Sequence, residues 1–140
     1  MGYTHYYSQQ RDATDSEWDN ITATFRTMLR MHPQPIQLES DERKPVRINK
    51  DQIWFNGIED DGHETMVLYK DERGFKFCKT ARKPYDRAVI ALLLFANHFA
   101  PGAWEISSDG TEGEWQEVVD WLTSKELGTY AIPERVKKGN

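Results

Sequence analysis

The chain has 140 residues, 38% hydrophobic and 12% aromatic, with a formal net charge of −5. That length supports one domain with a real core, and five Trp argue against wholesale disorder. The acidic balance excludes a global basic field that draws in bulk nucleic acid, and a single cysteine, Cys78, excludes an internal disulfide and a two-thiolate zinc site.

The opening MGYTHYYSQQRD lacks the apolar run of a secretion signal. The longest apolar stretch, AVIALLLFA at 88–96, falls short of the ~20 residues that span a bilayer. A soluble cytoplasmic protein is expected, with no membrane partner.

Residues 2–8, GYTHYYS, read as a strand rich in aromatic and β-branched residues. TDSE at 14–17 is a capping box. Behind it Trp18, Ile21, Phe25, Met28, Leu29 and His32 form one helical stripe, so a helix is predicted over about 15–31, ending before Pro33. Prolines at 33, 35 and 45 make the next stretch a loop, with short strands at 36–38, 46–48 and 53–56. GIEDDG is an acidic turn. Residues 63–69 and 75–80 read as two strands of a hairpin around Gly74, with Phe75 and Phe77 on one face.

Pro84 favours the first position of a second helix. That helix is apolar nearly all round from Val89 to Phe95, so it is expected at the centre of the core. AWEISS is a strand, and Asp109 or Thr111 caps a third helix bearing Trp115, Val118, Val119 and Leu122. The order β-α-β-β-β-β-α-β-α implies an α+β fold: a small mixed or antiparallel sheet with about three helices packed on it. A single domain over 1–128 and a loosely held tail over 129–140 are expected.

Candidate chemistry gathers in polar motifs. KTARKPYD places Lys79, Arg82 and Lys83 before a helix start, where unpaired amides and the helix dipole favour an anion. The Arg82 fork matches phosphate oxygens, Tyr85 offers a ring or hydroxyl, and Asp86 stands in the first turn, where it can orient Arg82. The competing reading is a solvated charged loop. In FNGIEDDGHET, His63 with Asp60 or Asp61 has no paired-histidine or HExxH spacing, so no metal site is assigned. In YTHYY, His5 shares a strand face with Tyr3 and Tyr7, and Tyr6 takes the other. Such rings hold a flat base or simply pack a core. SSDG at 107–110 offers Ser108 and Asp109 to a crevice or caps the third helix. A Ser–His–Asp set can be written from Ser108, His63 and Asp109, but it lacks a GxSxG elbow and is not adopted. Cys78 reads as a buried filler.

Taken together, MGYTHY, WFNG, GHET, FCKTARKPYD and SSDG followed by Trp resemble a family of small uncharacterised proteins of bacteriophage and bacterial genomes that typically open MGYTHYW. The resemblance spans most of residues 1–121, and this chain departs from it with Tyr at position 7. The family it resembles has no assigned activity, and the resemblance leaves the cofactor unknown. It marks as family positions Tyr3, Thr4, His5, Tyr6, Phe55, Asn56, Gly57, His63, Glu64, Thr65, Lys79, Thr80, Arg82 to Asp86, and Ser108 to Gly110. Most are polar residues at strand ends and helix starts, which packing alone rarely demands.

The leading expectation is a pocket for a small phosphorylated ligand, with a nucleotide as the expected case. Lys79, Arg82 and Lys83 would hold phosphate, with Tyr3, Tyr6 or Tyr85 stacking a base. His5, Asn56, His63 and Ser108 would read polar edges. By analogy with a phage setting, such a protein would sequester a host nucleotide signal. The first alternative is a hydrolase or phosphoryl-transfer enzyme with His5 or His63 as acid or base and Glu64 or Asp109 as its partner. The second is a module that covers a host protein with exposed Trp54, Trp104 or Trp121. Self-association is left open.

Overall fold

The computed structural model describes residues 3–40 and 43–139. Its strands are β1 (Thr4–Gln9), β2 (Ile36–Gln37), β3 (Arg47–Ile48), β4 (Gln52–Gly57), β5 (Met66–Tyr69), β6 (Gly74–Lys79) and β7 (Trp104–Ser108). Its helices are α1 (Asp15–Leu29), α2 (Asp86–Phe99), α3 (Glu112–Ser124) and the short α4 (Glu134–Lys138). The fold is α+β, as expected, but the strands form two small antiparallel sheets rather than one. One has the order β6-β1-β7; in the other, β4 pairs with β2, β3 and β5.

The expected hairpin between residues 63–69 and 75–80 does not form. β5 pairs with β4, and β6 pairs with β1, so the chain changes sheets between Tyr69 and Gly74. Buried Gln9 fastens the crossing: its amide donates to the Lys70 carbonyl at 2.7 Å and accepts from the Glu72 amide at 3.1 Å. A local turn signal announces a change of direction, but it does not choose the partner strand.

α2 is the hub. Every residue from Ala88 to Ala96 is buried, and the helix packs against α1, α3 and β7. An all-apolar helix has no solvent face to offer, so only a central position buries it. α1 turns Trp18, Ile21, Phe25 and Met28 inward behind its capping box at Thr14 and Glu17. α3 starts with a second capping box, at Thr111 and Glu114. No helix among the described residues is long and apolar enough to cross a membrane.

The tail departs from expectation. Tyr130, Ile132 and Val136 are buried in the core, and Arg135 pairs with Glu105 of β7 at 2.5 Å. The segment is a packed part of the domain, because apolar residues in an otherwise polar tail find a place beside α2 and β7.

Candidate functional site

Strand alternation turns Tyr3, His5 and Tyr7 of the first strand region inward and Tyr6 outward. His5 is fully buried, and both ring nitrogens are engaged. Nδ1 lies 2.7 Å from Ser108 Oγ at the end of β7, and Nε2 lies 2.6 Å from Asp86 Oδ1 in the first turn of α2. The fully buried Thr80 hydroxyl donates to the same Asp86 oxygen at 2.6 Å. Ser108 Oγ in turn accepts from the Gly110 amide at 2.8 Å. Nε2 can donate to the Asp86 carboxylate, while Nδ1 and the Ser108 hydroxyl share the second bond. One chain of contacts therefore joins Thr80, Asp86, His5, Ser108 and Gly110 from three separate parts of the sequence.

Trp115 of α3 and Tyr3 meet the His5 ring edge to face at 5.6 and 5.1 Å. Tyr3 carries the Arg82 guanidinium over its ring at 4.1 Å. Arg82 also forks onto Glu114, with Nε to Oε2 at 3.0 Å and Nη2 to Oε1 at 3.3 Å. That hydrogen bond is the main reason the Glu114 carboxyl sits below its ordinary pKa, with burial opposing it. The Tyr3 hydroxyl is buried and finds no aligned hydrogen-bond partner among the described residues. Desolvation first, then the nearby Asp86 and Glu114 charges, hold its pKa well above the usual phenol value.

The loop that places Arg82 is strained. Ala81 and Arg82 have φ of 53° and 55°, a left-handed conformation costing about 1–2 kcal/mol for a residue with a Cβ. The Tyr3 carbonyl takes both the Thr80 and Ala81 amides, at 3.0 and 3.3 Å, and fixes the turn.

Beside this network is a cavity of about 360 Å³ between the loop before α2, the loop after α1, and α3. Arg82, Lys83, Arg87 and Gln34 bring donors to its wall, and Asp86, Glu114 and Glu117 bring carboxylates. Arg82 is held by Glu114, and Arg87 lies over Trp121 at 4.9 Å. Neither Lys83 nor Arg87 forms an ion pair among the described residues.

Several expected site residues lie elsewhere. Lys79 does not join Arg82 and Lys83; it lines a shallow hollow on the outer sheet face with Thr4, Tyr6, Phe75, Phe77 and Asp109. Alternation along β6 sends it there. Tyr85 is fully buried and donates to the Glu64 carbonyl, so its ring cannot stack a ligand. Tyr6 stacks on Phe75 and bonds to Asp109 at 3.1 Å on the face opposite His5. Asp109 also accepts from the Thr4 amide at 3.0 Å.

Asn56 is buried and spent on its own loop, accepting from the Gly57 and His63 amides and donating to the His63 carbonyl and Thr65 hydroxyl. It holds His63 and Glu64 outside any strand, with the His63 side chain exposed. Glu64 accepts from the Lys79 amide at 2.7 Å and closes the end of β6. Neither Glu64 nor Asp109 is therefore the partner of a histidine; that partner is Asp86, which orients His5 rather than Arg82. No group of three potential metal ligands exists among the described residues.

The amides opening α2 are largely occupied as well. Those of Asp86 and Ala88 donate to the Lys83 and Tyr85 carbonyls, at 2.8 and 2.9 Å. The helix start therefore offers the cavity side chains more than peptide groups. The tryptophans foreseen as anchors are not free either. Trp104 is buried, Trp54 donates to Glu39, and Trp121 lies under Arg87.

Sequence reasoning missed Arg87, Gln34 and Glu114; it marked Thr80 only as a family position and Trp115 only as part of a helix face. The capping-box pattern at 111–114 was the one local signal that could have drawn attention to Glu114, which serves the Thr111 amide and Arg82 together. Comparison of the chain with protein-family models, with curated proteins and with solved structures finds no match in any of the three.

Proposed function

We propose that the cavity at the start of α2 binds a small anion of the phosphate or phosphomonoester class. The observation that carries this reading is that Arg82, Lys83 and Arg87 line one hollow, two of them without a carboxylate partner among the described residues. Arg82 is held in a strained turn, stacked on Tyr3 and braced by Glu114, so it loses little side-chain freedom on binding. No aromatic ring among the described residues lines the hollow, so a nucleotide would be held by its phosphate and not by a stacked base. Sequestration of a host nucleotide signal is a special case of this reading and stands or falls with it.

Isothermal titration with inorganic phosphate, simple phosphomonoesters and nucleotides tests the proposal. Saturable binding that weakens at least about tenfold in Arg87→Ala supports it. Absence of heat across the whole panel up to millimolar concentration, or an unchanged affinity in Arg87→Ala and Lys83→Ala, removes it.

A second reading, hydrolysis or phosphoryl transfer in the same hollow, is favoured by the 2.6 Å contact between His5 and Asp86. Asp86 Oδ1 is occupied by His5 and Thr80, which leaves Oδ2 to accept a proton from an attacking water while Arg82 and Lys83 meet developing charge. Buried His5 and Ser108 would act as positioning residues behind it. Phosphate release from a phosphomonoester, abolished in Asp86→Asn with binding retained, separates this reading from simple binding.

A further inference from the structure

The three-stranded sheet has an edge that is not blunted along its middle. Phe75 and Phe77 on β6 are 63% and 52% exposed, and with Met31 they are the exposed large apolar side chains among the described residues. Their rings lie 6.1 Å apart, and Phe75 stacks on Tyr6 at 6.1 Å, so the aromatic surface is continuous.

The backbone on this edge can be worked out from its end. The Lys79 amide donates to the Glu64 carboxylate and the Lys79 carbonyl accepts from the Glu64 amide, so both Lys79 groups point away from β1. Inward and outward groups alternate along an antiparallel strand. The amides and carbonyls of Phe77 and Phe75 therefore also point outward, and no bond to them occurs among the described residues.

We infer that this edge pairs with the same edge of a second copy, making a two-fold dimer with one six-stranded sheet. This pairing does not depend on ligand binding at the start of α2. An antiparallel strand pair about a two-fold axis is self-complementary by construction. Of the registers open to outward residues, the one that sets Phe75 opposite the second copy's Phe77 joins all the free Phe groups in two hydrogen-bonded pairs. It also gathers the phenyl rings of both copies on one face. A shift that sets Phe75 opposite Lys79 is blocked, because Glu64 already holds the Lys79 groups.

In the favoured register the pairing stops short of Lys79, whose outer groups Glu64 already holds, and Arg73, paired with Asp12 at 3.4 Å, lies beyond its end. Lys76 meets its own copy across the axis on the other face. Its charge is tempered there by Glu72 at 3.7 Å and by the Tyr69 ring at 5.4 Å. Edges that stay monomeric are usually blocked or charged on the exposed side; here Glu64 and Lys79 guard only the end of the strand, and its middle presents two phenylalanines.

The test joins light scattering to cross-linking. Wild-type protein should run toward twice the 16.4 kDa chain mass at high concentration and dissociate on dilution. The Phe75→Asp/Phe77→Asp double variant changes only exposed positions, and its fold is checked by circular dichroism. It should weaken self-association by more than about tenfold. Lys76→Cys lies on the two-fold axis in a non-hydrogen-bonded pair, where Cα atoms stand about 4.5 Å apart, within disulfide reach. It should form a disulfide dimer under mild oxidation far faster than Gln116→Cys, an exposed position on α3. Buried Cys78 does not compete. A wild-type monomer at millimolar concentration, a dimer unaffected by the double variant, or Lys76→Cys cross-linking no faster than Gln116→Cys would each overturn the inference.

Discussion

Replacing Asp86 with Ala removes the acceptor shared by His5 and Thr80. Both donors are fully buried, and both bonds are 2.6 Å long. A hydrogen bond to a charged group contributes about 1.5–3 kcal/mol net, so the two bonds together are worth about 3–6 kcal/mol. Loss of the acidic residue from the first turn of α2 adds about 0.3–1 kcal/mol. The Asp86 side chain is 16% exposed, so water entering the gap would satisfy part of the loss. The expected destabilisation is therefore near the lower end of the sum, about 3 kcal/mol, with Asp86→Asn nearer 1 kcal/mol because an amide oxygen still accepts. Urea unfolding at fixed pH and salt measures it, with an unchanged m-value showing that the denatured state is not the cause. A thermal midpoint lowered by roughly 10–15 °C would agree. A loss below about 1 kcal/mol in Asp86→Ala would refute the view that this carboxylate ties the helix start to the first strand.

Gly110→Ala should destabilise the same junction by about 1–3 kcal/mol in the same assay, because a Cβ there comes within 2.4 Å of the Tyr3 hydroxyl and 3.1 Å of Ser108 Oγ. Glu17 is held down from an ordinary 4.5 to about 2, first by its hydrogen bond from Arg11 and then by the Thr14 amide. A depressed carboxylate stabilises the fold above its unfolded pKa and loses that effect as pH falls through the folded one. Glu17→Gln should thus cost about 1 kcal/mol at neutral pH, after discounting for solvent screening, and the gap to wild type should close as pH falls from 4.5 toward 2. Burial pushes the Cys78 thiol up to about 12, so an aromatic disulfide reagent should titrate it only in denaturant; rapid native labelling would contradict its placement.

Much of the architecture was legible in local pattern. The two capping boxes, the α1 stripe and the apolar run of α2 each rest on contacts a few residues apart, and the helices stand where those patterns place them. Pairing was not legible. Whether β6 returns onto β5 or crosses to β1 depends on Gln9 reaching Lys70 and Glu72, contacts separated by more than sixty positions. The site divides the same way. His5, Asp86 and Ser108 stood out singly as polar residues at element ends, yet their partnership spans 81 and 103 positions and has no sequence spacing to betray it. The cation cluster misled for a simpler reason. Lys79 still belongs to a strand and obeys its alternation, whereas Arg82 and Lys83 lie past the turn at Ala81, so closeness in sequence sends them to different faces.

The most direct measurement is an amide-resolved NMR titration of the whole chain with inorganic phosphate and with a phosphomonoester. The account predicts saturable shifts centred on Gln34, Lys83, Asp86 and Arg87, reduced in Arg87→Ala, with Lys79 and Phe77 on the outer sheet face unmoved. Shifts that do not saturate, or that centre on Lys79 and the outer face while the start of α2 stays still, would contradict it.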